Sequence, residues 1–281
     1  MIIIVLTWIF YNNSCFNIVG VSILFIIVMV IFSLETFVLY DKLQAAYTEN
    51  FKQVVIHPMI KFIDDDLNYQ PNKEITPKKF YTSLFFKDEY GKKIDNWQAE
   101  DHINGTLDRI PMTFSEINAE EVRERGDTTT TITIFEGLFF SFKMKTNFKG
   151  IILLNVHEEL WRKRFSSWWL KKSIKKVKLE ELKLADNLTV YSDNPLMVSQ
   201  LFSNNFQTNL LTLQRRIKRP IHLSFIDNKL YLAISTKKKL FEVSMFKQVS
   251  YELVEDSFNY LQIGIEIMKM VKNTNFGKNY A

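Results

Sequence analysis

Glu100, Asp101 and His102 are three consecutive residues whose side chains could exchange protons or bind a metal ion. A carboxylate close to an imidazole can serve in general acid–base catalysis. In a β-strand, neighbouring side chains point to opposite faces, so only Glu100 and His102 could converge. Two groups do not complete a zinc site, and at least one more ligand must come from elsewhere in the chain. We therefore interpret the segment as a polar strand that ends in a turn at Asn104-Gly105 and is followed by a half-buried strand at 109–117.

The other candidate motifs for chemistry are incomplete. The acidic cluster Asp64–Asp66 could bind a hard cation, but it lacks the alternating acids and the glycine of a calcium loop, so we interpret it as a solvated helix end. The sequence HEELW at 157–161 lacks the second histidine of the zinc-protease motif. Cys15 is the only cysteine, and the eight glycines form no phosphate-binding loop. We therefore predict no catalytic residue, no metal ion and no cofactor, and we favour a protein that is not an enzyme.

A segment rich in tryptophan and lysine, WRKRFSSWWLKKSIKKVK at 161–178, is the strongest candidate for binding a partner. In a helix its aromatic side chains cluster on one side with basic side chains around them, which suits the headgroup region of a membrane. Each Lys or Arg near an anionic membrane contributes about 1 kcal/mol to binding. The alternatives are a surface loop whose tryptophans fill the core, or another partner. The residues predicted to contact the membrane surface are Trp161, Arg162, Lys163, Arg164, Phe165, Trp168, Trp169, Lys171 and Lys172.

A long apolar stretch, FNIVGVSILFIIVMVIFSLETFVLY, lies near the N-terminus at residues 16–40. A helix of roughly 20 apolar residues crosses a bilayer core of about 30 Å. A helix that is apolar on every side favours lipid over a protein core. No Lys or Arg precedes Lys42, so the positive-inside rule predicts that the rest of the chain faces the cytoplasm. We predict a membrane anchor at 1–40, with one or two crossings of the inner (cytoplasmic) membrane, and a cytoplasmic domain at 41–281.

The remaining chain predicts an α+β domain, mainly an antiparallel sheet with flanking helices. The segment 128–145, rich in Thr, Ile and Phe, is the strongest strand signal, and we expect a bulge at Glu136-Gly137 that turns the carboxylate outward. We expect KGIILLNV to return and pair with this strand, and 221–235 to form a hairpin that turns at Asp227-Asn228. Helices are expected at 41–67 with a kink or end at Pro58, from Pro77 with Thr76 as N-cap, at 194–217 and at 254–272.

These elements, in this order, resemble the bacterial family catalogued as domain of unknown function 3137, whose members sometimes carry the label "galanin". The resemblance extends from about residue 45 to the C-terminus. It implies a membrane-attached bacterial protein without an assigned activity, and it supplies no catalytic residues. The N-terminal apolar region is shorter than is usual in the family, and 157–178 is unusually rich in Trp and Lys. The stretches that carry the resemblance are 51–75, 83–86, 100–120, 133–150 and 223–234.

Three hypotheses for function follow from these features. The first is a non-enzymatic binding or scaffold module at the cytoplasmic face of the membrane, with the lipid bilayer, anionic lipid headgroups or a protein as partner. Beyond residue 41 the chain has 36 basic and 29 acidic residues, and this mild excess of +7 fits an anionic membrane face better than nucleic acid, so we expect no nucleic-acid partner. The second is an enzyme that acts on a membrane-associated substrate with acids such as Glu100 or Asp64. The third is a structural subunit of a membrane complex.

Overall fold

The computed structural model describes residues 18–85, 94–155, 174–177, 189–219, 221–236 and 239–274. The chain divides into two compact units. The first contains residues 1–51 and 243–248, and the second contains residues 52–242 and 249–281. The described residues confirm the predicted α+β class, because they form a large antiparallel sheet, several helices and an apolar helix near the N-terminus.

The first unit is built on helix α1, Ile18–Phe51. Twelve large apolar side chains between Ile23 and Leu39 are each 50–66% exposed. Four of them are consecutive at 29–32, and successive residues of an α-helix point about 100° apart, so the exposed apolar surface surrounds the helix. By length and composition alone, this helix can cross a membrane.

The second unit is built on one sheet, in which some strands are long and others are short. Its nine described strands lie in the order β1-β2-β3-β4-β9-β8-β5-β7-β6, and every neighbouring pair is antiparallel. The strands are β1 Leu67–Gln70, β2 Asn96–Leu107, β3 Ile110–Arg125, β4 Thr128–Lys143, β5 Ile151–Asn155, β6 Lys175–Val177, β7 Thr189–Ser192, β8 Ile221–Ile226 and β9 Lys229–Ser235.

Three helices of the second unit begin after side chains that cap them, whereas Ile56 and the predicted N-cap Thr76 precede helices without making a side-chain capping hydrogen bond. Ser203 and Ser250 accept hydrogen bonds from backbone N–H groups in the first turns of their helices, and Asn194 does the same. A π-helical turn, Lys52–Ile56, precedes the predicted interruption at Pro58. The helices are α2 His57–Ile63, α3 Pro77–Thr82, α4 Pro195–Leu201, α5 Asn204–Ile217 and α6 Tyr251–Lys272.

Both faces of the C-terminal half of β4 are buried, where residues 137–142 read GLFFSF. Phe139 points to one face and packs against Phe80 of α3, with ring centroids 5.2 Å apart. Phe140 points to the other face and lies against α6, where a Cβ on Gly264 would come within 2.6 Å of its ring. A side chain at Gly264 would therefore push α6 away from the sheet.

Two local predictions about the strands were wrong. Strand β2 continues through Asn104-Gly105, and the chain turns instead at Asp108-Arg109, where both residues have positive φ (50° and 65°). This pattern is typical of the two-residue turns that join twisted antiparallel strands. The bulge in β4 lies at Ile134, because Ala119 pairs with Phe135 while Glu120 pairs with Thr133.

The predicted pairing of KGIILLNV with the preceding strand was also wrong. Strand β5 pairs with β8 and β7, whereas β4 pairs with β9. The predicted hairpin of β8 and β9 is confirmed, with Ile226 opposite Lys229 across the turn. This hairpin lies between β4 and β5 in the sheet, so the sequence order of the strands differs from their spatial order.

Candidate functional site: the buried Lys52 ion pairs

The candidate site begins at an irregularity in β2. Asp101 has a φ of 57°, in the left-handed region, and Asp101 and His102 together lie opposite the single residue Ser115 of β3. The Asp101 N–H donates a hydrogen bond to the carbonyl of Pro71 at 3.0 Å. This bulge re-aims the side chains on either side of it.

Two adjacent carboxylates therefore bind the same cation. Lys52 Nζ, from the π-helical turn, lies 3.1 Å from Glu100 Oε2 and 2.9 Å from Asp101 Oδ1. The alternation that would let Glu100 and His102 converge does not hold here, because the bulge interrupts it. His102 instead places Nδ1 3.1 Å from Ser115 Oγ.

Asp101 is the most enclosed group of the cluster. It is fully buried and accepts a hydrogen bond from the Tyr69 hydroxyl of β1 as well as from Lys52. Burial raises the pKa of Asp101 to about 6, although the Lys52 ammonium and the Tyr69 hydroxyl act in the opposite direction. Part of the Asp101 population is therefore protonated at mildly acidic pH.

Glu100 extends the cluster toward the surface. Its Oε1 lies 2.7 Å from Lys239 Nζ, and Lys239 Nζ also lies 2.5 Å from Glu242 Oε1. Burial opposes ionisation of Glu100, but the hydrogen bond from Lys239 and the nearby Lys52 charge lower its pKa below the usual range. Glu100 is therefore ionised at neutral pH, with a lysine on each of its oxygens.

Glu116 is a second buried acid that the sequence reasoning missed. It pairs with Glu100 across β2 and β3, and both of its carboxylate oxygens accept from the Leu240 N–H, at 3.2 and 3.3 Å. Burial and the nearby Asp101 charge raise the pKa of Glu116 to about 8. Glu116 was missed because both faces of β3 are buried around this position, so the pattern of alternating residues does not mark Glu116 as a buried acid.

His102 and the acidic cluster lie outside these ion pairs. Partial burial and the charges of Lys79 and Lys73 lower the pKa of His102, which keeps its ring neutral at pH 7. Asp64 caps α2, and its Oδ1 accepts from the Asp66 N–H at 2.9 Å, as expected of a helix end. In the described part of the chain, no three His, Cys, Asp or Glu side chains come together in a way that could hold a metal ion.

A cavity of about 680 Å³ lies elsewhere in the second unit, between α3 and the β8–β9 hairpin. Lys78 and Lys229 are among its lining residues, and within the described residues neither makes an ion pair. Burial and the charge of Lys229 lower the pKa of the neighbouring Lys79, so the local potential is positive. The remaining lining residues are Tyr81, Thr82, Leu84, Ile226, Asp227 and Tyr231.

The nine residues predicted to contact the membrane surface lie outside the described residues, whereas the end of the same basic segment is described and forms strand β6, Lys175–Val177. The nine residues are Trp161, Arg162, Lys163, Arg164, Phe165, Trp168, Trp169, Lys171 and Lys172. Their role therefore stays a prediction.

The ion pairs and hydrogen bonds of the cluster around Lys52 hold separate segments of the chain together. Both oxygens of Glu100 bind lysines, Asp101 is held by Lys52 and Tyr69, and Glu116 is held by a backbone amide. Removing one partner from such a buried set is costly because it leaves an uncompensated charge. The cluster thus joins four separate segments: the π-helical turn, β1, β2 with β3, and residues 239–242.

Comparisons with known proteins give a family and one distant structure. The family model described as "Protein of unknown function (DUF3137)" matches residues 133–273, which run from β4 to α6. Among solved structures, the chain is similar to the mycobacterial trehalose monomycolate transport factor A, TtfA, with a TM-score of 0.41 and 8% sequence identity. That match covers 80% of this chain and 95% of the other. No curated protein matches this chain.

Proposed function

Because this chain belongs to the family described as protein of unknown function (DUF3137), as its sequence resemblance predicted, we propose that it is a membrane-anchored binding or scaffold module without enzymatic activity. Helix α1 is the anchor in this proposal, and the α+β domain is held at the cytoplasmic face of the membrane. The partners are the bilayer itself and an anionic lipid headgroup or a protein.

The exposed apolar surface of α1 is the observation that carries this proposal. Burying a large apolar side chain is worth about 1.5–3 kcal/mol, and twelve such side chains on α1 are at least half exposed. A surface of this kind that surrounds the whole helix is matched by lipid on every side. The length of α1 is sufficient for a crossing, since its apolar part alone runs from Ile18 to Leu39.

The charges around the apolar stretch support a cytoplasmic location of the domain. No Lys or Arg occurs before Lys42, whereas Lys42, Lys52 and Lys61 follow within a short distance. Basic residues that flank a membrane helix favour the cytoplasmic side. Lys52 is engaged in buried ion pairs, so Lys42 and Lys61 are the two of these three lysines that remain near the surface.

The cavity beside α3 supports a binding role. Its cationic residues Lys78 and Lys229 suit an anionic group, and its apolar residues suit a hydrophobic or aromatic body. The cluster around Lys52 supports the scaffold role instead. An enzyme that uses Glu100 or Asp64 is disfavoured because lysines occupy both Glu100 oxygens and the Asp64 carboxylate accepts from the Asp66 N–H.

Membrane fractionation of the full-length chain tests the proposal. We expect the protein to remain in the pellet after carbonate washing of bacterial membranes, and a C-terminal reporter to be active only in the cytoplasm. The variant Ile26→Lys/Val30→Lys places two charges in the exposed apolar surface and is expected to release the protein, whereas Ile26→Leu/Val30→Leu is the matched control. Release of the wild-type protein by carbonate would overturn the anchor, and a reporter active outside the cell would overturn the orientation.

A further inference from the structure

A short turn far along the chain is held against α1 by side-chain hydrogen bonds. Gln44 Nε2 donates to the Val243 carbonyl at 2.5 Å, and Gln44 Oε1 accepts from the Met245 N–H at 2.9 Å. Thr48 Oγ1 also donates to the Val243 carbonyl, at 3.3 Å. One primary amide thus satisfies two backbone groups of the segment 243–248, which fixes that segment on α1.

The segment 243–248 is itself a tight turn that displays an aromatic ring. The Lys247 N–H donates to the Ser244 carbonyl at 3.0 Å, and the Phe246 N–H donates to Ser244 Oγ at 3.4 Å. Phe246 is 76% exposed, and its ring stacks on Tyr40 of α1 with centroids 5.4 Å apart and planes 7° apart. Phenylalanine is among the residue types that are most often fully buried.

The position of the Tyr40–Phe246 ring pair along α1 indicates which environment surrounds the two rings. The run of closely spaced exposed apolar side chains on α1 ends at Leu39, Tyr40 is the next residue, and Leu43 follows after Asp41 and Lys42. Aromatic rings are enriched where a membrane helix leaves the hydrocarbon region. Lys42 and Lys247 are both exposed cations beside the pair, and cations at this level suit anionic headgroups.

We propose that the turn 243–248 is a second membrane contact, in which Phe246 enters the interfacial region of the bilayer beside Tyr40 while Lys247 faces the headgroups. This inference depends on the proposed role of α1 as a membrane anchor. Its consequence is that the two chain segments, about 200 residues apart in sequence, contact the lipid as one surface. Gln44 is the positioning residue of this contact, because it holds the turn without touching the lipid.

Depth-dependent quenching in nanodiscs tests the turn. The full-length protein, with its single cysteine changed by Cys15→Ser, is labelled with a fluorophore at Phe246→Cys, Phe32→Cys or Asn50→Cys in separate samples. The bilayer contains phosphatidylcholine and phosphatidylglycerol with spin-labelled lipids. Asn50 is exposed on α1 and lies ten residues beyond Tyr40, about 15 Å farther along the helix, which makes it the control outside the bilayer.

The two proposals fail in different ways in this experiment. We expect loss of fluorescence at Phe246→Cys with lipids labelled near the headgroup, at Phe32→Cys with lipids labelled deep in the acyl chain, and at Asn50→Cys with neither. Adding Gln44→Ala is expected to reduce the quenching at Phe246→Cys and leave Phe32→Cys unchanged. Quenching at Phe32→Cys with none at Phe246→Cys overturns the turn contact alone, whereas no quenching at Phe32→Cys overturns the membrane anchor and this inference with it.

Discussion

Lys52 and Asp101 form an ion pair that is almost completely removed from solvent, with side chains 6% and 0% exposed and 2.9 Å between Nζ and Oδ1. A buried ion pair of this kind often stabilises the fold no more than apolar residues of similar volume would. Removing one partner alone, however, strongly destabilises the fold. Tyr69 and Glu100 complete the coordination of the two charges. We therefore expect the main role of the pair to be structural: it fixes how β1, β2 and the π-helical turn pack together.

The first prediction is that Lys52→Met destabilises the fold by roughly 3–5 kcal/mol at pH 7, because Asp101 is left without its cation. The loss is expected to be smaller at pH 5, since burial raises the pKa of Asp101 to about 6 and a protonated Asp101 needs no counter-charge. Urea unfolding in detergent, followed by tryptophan fluorescence, measures the change. Lys269→Met removes an exposed lysine and is the matched control. Equal stability of the two variants would refute a structural role for the pair.

The second prediction concerns Glu116. A pKa of about 8, above the ordinary 4.5, means that the folded protein holds this proton more tightly than the unfolded chain. The stabilisation is complete below about pH 4.5 and is lost progressively as the pH rises to about 8. Glu116→Gln cannot ionise but keeps an oxygen for the Leu240 N–H, so it should be more stable than the wild type at pH 8 and similar to it at pH 4.5.

Urea midpoints measured between pH 4.5 and 8.5 test this second prediction. Glu136→Gln makes the same substitution at an exposed position of β4 and should change the midpoint little. A Glu116→Gln curve parallel to that of the wild type would show that the Glu116 carboxyl titrates normally in the fold.

Local patterns predicted the elements that depend on neighbouring residues. The hairpin of β8 and β9 follows from alternating apolar residues on each side of Asp227-Asn228, and Asp227 does adopt a positive φ of 54°. The helix at 77–82 follows from Pro77 in its first turn, although the Thr76 side chain makes no capping hydrogen bond, and α6 begins within a few residues of its predicted start. In each case the signal and the structure that it specifies lie within one segment.

The cluster around Lys52 could not be predicted because its partners are distant in sequence. Asp101 adopts its left-handed backbone next to the Pro71 carbonyl and beside Lys52, and no local pattern brings these residues together. The position of β5 beside β8 has the same origin, since the hairpin that separates it from β4 comes later in the chain. Non-local pairing of this kind is decided by packing of the whole sheet.

The third prediction is that Gly137→Ala destabilises the sheet where β4 meets β9. A Cβ at this position would lie 2.1 Å from the Ile234 carbonyl oxygen and 2.8 Å from the Thr236 nitrogen, so the strand pair must separate locally. Gly126→Ala is the control, because its φ of 62° is also left-handed but no atom lies within 4 Å. At Gly126 the only cost of an added Cβ is that of the left-handed backbone conformation, about 1–2 kcal/mol. Thermal unfolding should show a larger loss for Gly137→Ala than for Gly126→Ala.

The last prediction addresses the basic and aromatic segment. If 161–178 contacts anionic headgroups, the full-length protein in neutral nanodiscs should sediment with phosphatidylglycerol vesicles, and Arg162→Glu/Lys163→Glu/Lys171→Glu/Lys172→Glu should abolish this binding. The same charge change at four exposed lysines elsewhere, Lys73, Lys145, Lys149 and Lys218, is the control and should reduce binding only through the net charge. If both quadruple variants lose binding equally, the net charge of the protein accounts for its binding to the vesicles, and the segment has no special role.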